Sequence, residues 1–148
     1  MGEYTARFSE LHYPLLYEHA DSLGAAVTAS AWINMENYHR GALVLNVGDL
    51  VATSVIYAYL QQAQNVGGLG GKAIAGKAIT PLVQADGDGD DLVCMELQTE
   101  ELDVSNGFNW VRVVVHTANA ATEYGWIFYG IEPRFAPTPV TNWTEVVP

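Results

Sequence analysis

The chain of 148 residues carries 17 acidic side chains against 6 basic ones, a formal net charge of −11 and a pI near 4.4. Six scattered cations cannot line a phosphate-tracking groove or hold an anionic bilayer, which argues against nucleic acid and membrane as partners. The length suits one domain with a real core, and one cysteine, Cys94, leaves no internal disulfide.

No run of 18 apolar residues occurs, and the opening MGEYTARFSE has no apolar leader core, so neither a membrane span nor a signal peptide is expected. Charged residues make up only 16% of the chain and apolar residues 49%, with eight tyrosines and four tryptophans. An average domain has about 25% charged residues. Two readings account for this composition. An all-β core uses many aromatics, or much of the surface faces other subunits, where Tyr and Trp are enriched.

In chain order, residues 1–25 stand apart. Phe8, Leu11 and Leu15 have helical spacing, but Pro14 interrupts any helix of useful length. The segment reads as an extended N-terminal arm with at most one helical turn, able to wrap its own domain or a neighbour. Residues 26–148 read as a single β-domain. Strand-type runs fall at 25–32, 41–47, 53–63, 72–83, 92–98, 108–117 and 122–131, with a last short run at 143–147. Gly, Asn and Asp clusters separate them. The expected fold is an all-β antiparallel sandwich or a jelly-roll-like barrel.

Alternation assigns faces within the runs. Val111, Val113 and Val115 form the better core row of the 108–117 run, opposite Phe108, Trp110, Arg112, Val114 and His116. Val93, Met95 and Leu97 oppose Cys94, Glu96 and Gln98, as a sheet with one buried side requires. In the 53–63 run both rows are apolar, so that strand is central or covered outside.

Several motifs invite a chemical reading and lack its remaining parts. Gly71, Gly76 and Lys77 fit a phosphate-binding loop, but Ala78 stands where Ser or Thr should hold magnesium, and Pro81 follows instead of a helix. Lys72 and Lys77 are better read as solubilising an edge strand, or as pairing with acids of a neighbouring subunit. In an unbroken strand they would point to opposite faces, and a bulge at Gly76 would change that. DGDGDD at 86–91 begins like a calcium loop, yet the sixth and twelfth positions hold Asp91 and Leu97 rather than Gly and Glu. A solvated hairpin loop is the simpler account. Cys94 and the four histidines show no metal-ligand spacing, and Cys94 is read as a small packing residue within a strand. No metal, cofactor or catalytic set is expected. Asn142-Trp143-Thr144 matches a glycosylation sequon, which is read as chance.

Three segments together, GKAIAGKAIT, NWVRVVVHTANAAT and YGWIFYGIEPRFAP, resemble a family of small structural proteins of tailed bacteriophages. Members of that family run from a glycine-broken first half through a G-x-K-A-I-type strand and an acidic turn to an F-V-R-V-x-V strand and a P-R-Y-A-P step. Here the last two are Trp110–Val115 and Pro133-Arg134-Phe135-Ala136-Pro137, and the resemblance spans roughly residues 30–137. It implies a non-enzymatic virion component, most plausibly a capsid decoration (cement) protein. Such a protein would be a homotrimer on the capsid exterior, with the major capsid protein as its partner. In that setting Tyr4, Phe8, Tyr13 and Tyr17 of the arm would anchor a neighbour, as would Arg134 beside Phe135. Alternatives are a head–tail or fibre-base part, or a carbohydrate-binding module that stacks sugars on Trp32, Trp126 or Trp143. Four of the 17 acids lie within 86–91, and the expected orientation is acidic loop outward, aromatic arm toward the shell.

Overall fold

Alternation at period two becomes burial in the valine row. Val111, Val113 and Val115 are at most 1% exposed, while Trp110, Arg112 and His116 on the same strand stay partly exposed. The computed structural model describes residues 6–135 and 142–147. Its strands, in chain order, are β1 (His12–Leu23), β2 (Val27–Ala29), β3 (Ile33–Asn34), β4 (Tyr38–Leu50) and β5 (Val55–Ala63). They continue as β6 (Lys72–Ala78), β7 (Leu82–Val83), β8 (Leu92–Gln98), β9 (Trp110–Ala118) and β10 (Thr122–Pro133). One helical turn, α1 (Phe8–Leu11), precedes β1.

The strands form two antiparallel sheets, so the fold is the all-β sandwich, and no barrel closes. The first sheet runs β1-β10-β4-β8. The second runs β2-β9-β5-β6, with β3 also on β9 and β7 on β5. Leu43, Leu45 and Phe128 from the first sheet meet Ile56, Leu60 and the valine row of the second in one continuous core. The β5 run, apolar on both sides, is indeed central, between β9 and β6.

The segment expected to be an arm is a strand from His12 to Leu23. It pairs with β10 at the edge of the first sheet. Register shifts between Pro14 and Leu16 and between Glu18 and Asp21 break its period-two pattern, which conceals it in the sequence. Pro14 is tolerated because an edge strand has a side that need not donate to a ladder. The 72–83 run divides into β6 and β7, with Gly76 at φ 75. The bulge at Gly76 coincides with a register shift between Tyr59 and Gln61 on β5. Residues 143–147 form no strand.

Candidate interaction surface

Inward positions of the first sheet are filled by Leu43, Leu45, Met95, Leu97, Trp126 and Phe128, so the alternate residues face out. The register sets Tyr17, Ile127, Val44 and Cys94 in one row across all four strands. Pro14, Tyr129, Ala42 and Glu96 form the next row. Only Glu96 among them is charged. Tyr17 is 48% exposed, and Leu92, one step further along β8, is 71% exposed. Pro14 and Ala42 are covered and Val44, Ile127 and Tyr129 half-buried, so the apolar area this face leaves in water centres on Tyr17, Cys94 and Leu92, and exposed apolar area of this kind marks contact surfaces.

An aromatic cluster continues this face where the chain enters β1. The turn α1 is held by the Glu10 N–H donating to the Arg7 carbonyl at 3.0 Å, and by the Arg7 N–H donating to Glu10 Oε2 at 2.7 Å. It places Phe8 in a stack on His12, with ring centroids 4.1 Å apart. Phe8 also stands 5.9 Å from Tyr129 edge to face and 6.3 Å from Trp143. Burial pushes the Tyr129 phenol up from its ordinary pKa. Beside the cluster lies a shallow groove of about 450 Å³, lined by Arg7, Phe8, Ser9, Trp143, Glu145, Val146 and Val147. The Asn142 amide donates to the carbonyls of Pro14 at 2.8 Å and Leu15 at 3.1 Å, which ties this tail to the edge of β1. The sequon nitrogen is therefore engaged within the chain.

The residues expected to meet a partner divide. Phe8 and Tyr17 lie exposed on this face. Tyr13 turns inward, opposite Gly130, and packs against the core beside Tyr38. Its position one residue before Pro14 puts it on the buried side. Arg134 is turned to its own chain, with its guanidinium 3.3 Å from Thr99 Oγ1 and its N–H bonded to the Asn37 carbonyl at 2.7 Å. Phe135 is 76% exposed, and its backbone is clamped by the Asn37 side chain. Tyr4 lies outside the described residues. Cys94, read as a packing residue, is exposed instead, because it lies on the outward row of β8. Ile127, Val44, Tyr129 and Leu92 were not singled out by sequence. Their one available signal is that β4 and β10 are apolar on both alternating rows.

Of the tryptophans expected as sugar platforms, Trp126 is 5% exposed in the core. Trp32 is covered by Arg112, whose guanidinium carbon lies 4.5 Å from the ring. Trp143 belongs to the aromatic cluster.

Charges sit at the ends of the sandwich. Lys72 pairs with Asp103 at 2.6 Å and Lys77 with Glu101 at 2.9 Å, both within the chain rather than with a neighbour. The Gln98 backbone N–H first, then Lys77, holds the Glu101 carboxyl below its usual pKa. The Lys72 hydrogen bond, then Asn106, does the same for Asp103. Arg40 pairs with Glu132 at 2.5 Å. At the opposite end, the 86–91 loop leads from β7 into β8. There the Asp88 carboxylate accepts the Val83 N–H at 2.8 Å, and Gly87 takes φ 82. Bonds from Asp90 N–H to the Gly48 carbonyl and from Val47 N–H to the Asp91 carbonyl fasten the loop to the end of β4. Asp49 is at that end, and Glu123 lies over Gly48. None of the six Lys and Arg residues is there. Among the described residues, no group of three or more His, Cys, Asp or Glu is placed to hold a metal ion.

No protein-family model and no curated protein sequence matches the chain. Among solved structures, a chain of "Structure of infectious bursal disease virus Gt strain" is similar, with a TM-score of 0.41 and 13% identity. The match covers 82% of this chain and 32% of that one, so this chain spans about a third of that neighbour's length. At that score and identity the likeness assigns this chain no role.

Proposed function

We propose that the protein is a non-enzymatic structural component of a tailed-phage virion. In this reading it is a decoration protein that binds the outside of the major capsid shell and stabilises it. The reading takes its class from the resemblance of the GKAIAGKAIT, NWVRVVVHTANAAT and YGWIFYGIEPRFAP segments. The structural observation that carries it is the pair of outward rows of the first sheet in which Glu96 is the one charged residue, with the Phe8–His12–Tyr129–Trp143 cluster at one end. A lattice-bound protein gains affinity from area repeated over many copies, and a broad apolar face supplies area. The cluster and the Asp-rich loop lie at opposite ends of the same sheet, which suits an aromatic end toward the shell and an acidic end toward solvent. Self-association belongs to the reading, and the resemblance implies three copies.

The test adds purified protein to capsids that lack it. Saturable binding in hundreds of copies and a higher capsid melting temperature are expected. Phe8→Ala combined with Tyr17→Ala should weaken binding at least tenfold. A protein that ignores such capsids, or binds only a handful of sites at a vertex or tail, overturns the reading.

A further inference from the structure

Three of the four sheet edges are blunted. β1 carries Pro14, two register shifts and the Asn142 side chain on its carbonyls. β2 and β3 are only 3 and 2 residues long. On the far side of the second sheet, β6 is bent by the Gly76 bulge and β7 has 2 residues. Proline, bulges and brevity are the devices that keep an edge from adding a foreign strand. β8 has none of them. Its 7 residues pair with β4 without a register shift, from Gln98 opposite Arg40 to Leu92 opposite Asn46.

The hydrogen bonds at its two ends establish which groups point outward. The Val47 N–H donates to the carbonyl of Asp91, which follows as the next pair in the same register, at 2.9 Å. Bonded and non-bonded pairs alternate along an antiparallel ladder. Val93, Met95 and Leu97 therefore bond to β4, and Leu92, Cys94 and Glu96 turn their N–H and C=O groups to the open edge. At the far end the phase is the same, since the Gln98 N–H is bonded from outside the ladder by the Glu101 carboxylate at 2.7 Å. Among the described residues, no hydrogen bond closes the outward groups of Leu92, Cys94 and Glu96.

We propose that this edge pairs with the same edge of a second copy, β8 antiparallel to β8, about a two-fold axis at Cys94. The two four-stranded first sheets become one continuous sheet. In this register Leu92 faces Glu96 of the second copy and Cys94 faces Cys94, so all three outward residues of each chain are bonded and no like charges oppose. Sliding by one pair would call on the Gln98 N–H, which Glu101 already holds. Charge favours the antiparallel direction over the parallel one. A parallel alignment would set two Asp-rich loops side by side. The antiparallel one sets those loops at opposite ends of the joint. The apolar row Tyr17–Ile127–Val44–Cys94 then runs on unbroken into the second chain.

The inference rests on the self-association within the function proposed above but makes the copies two, in place of the three that the resemblance implies, and its test uses the purified chain without capsids. Light scattering or sedimentation is expected to give twice the 16.1 kDa chain mass. Glu96→Pro deletes an outward N–H and leaves the β4 ladder intact, and it should halve that mass. Cys94→Lys, at an exposed position, should halve it too, and it carries the test alone if the proline variant does not fold. Facing residues in a bonded pair have Cα atoms about 5.5 Å apart, within the disulfide range of about 4.4–6.8 Å. Copper(II)–phenanthroline should therefore join the two thiols, which lose two protons and give two electrons to copper as one S–S bond forms. Glu96→Pro should abolish that cross-link. A wild-type protein of single-chain mass overturns both this joint and the self-association in the functional reading. An oligomer that both variants leave intact overturns the joint alone.

Discussion

Gly130 shows how closely the first sheet is packed at the level of one atom. A Cβ there would lie 2.7 Å from both Leu15 Cδ1 and Tyr38 Cδ1, well inside contact distance. Both neighbours are buried and neither has a free direction in which to move. Its φ is not positive, so glycine is needed for room rather than for backbone freedom. Gly130→Ala should therefore cost about 1–3 kcal/mol, the usual range for overpacking a filled core. The urea midpoint should fall while the slope of the unfolding curve stays unchanged. Gly68 is bound differently. It combines φ +83 with a Cβ position 2.6 Å from the Trp32 indole nitrogen, so both conformation and space exclude a side chain.

At the scale of elements, β1 and the 142–147 segment stabilise each other. Asn142 closes two edge carbonyls, and Trp143 packs near Phe8 and Tyr129. Asn142→Ala should cost about 1 kcal/mol, the net value of a typical hydrogen bond. It should also shift Trp143 fluorescence to the red, and a Trp143→Phe background should remove that shift. These same elements were the least legible in the sequence. β9 is readable because Val111, Val113 and Val115 keep period two without interruption. β1 is not, since two bulges each move the side-chain phase and Pro14 suggests a stop. WTEVV has the composition of a strand, yet composition cannot supply a neighbouring edge, and the one near it is capped by a side chain. Of the expected partner-facing residues, Phe8 and Tyr17 reach the surface. Tyr13 does not, because strand alternation counted through its true register turns it inward.

Across the whole molecule, charge is segregated. Asp49, Asp86, Asp88, Asp90, Asp91 and Glu123 occupy one end, while all six cations lie elsewhere, several in ion pairs. With a net charge of −11, repulsion at that end outweighs three exposed pairs, each worth about 0–1 kcal/mol. Raising salt shortens the reach of exposed charges to about 3 Å at 1 M. Sodium chloride should therefore raise the urea midpoint, and Asp90→Asn should reduce that salt response. A midpoint that falls with salt would show that the ion pairs dominate.

Local pattern alone establishes the class and the inward rows: all-β, antiparallel, with Val111, Val113, Val115, Met95 and Leu97 in the core. That much follows from local period and turn chemistry, which neighbouring residues carry. It takes the folded chain to make residues 12–23 an edge strand and to bring Lys72 and Lys77 to Asp103 and Glu101. The fold likewise joins the Asp-rich loop to Asp49 and Glu123 and leaves β8 an open edge beside an apolar outer row. Each of these depends on register between segments far apart in the chain. Register is fixed by bulges, buried shape and the pairing of distant backbones, none of which is written in a local pattern.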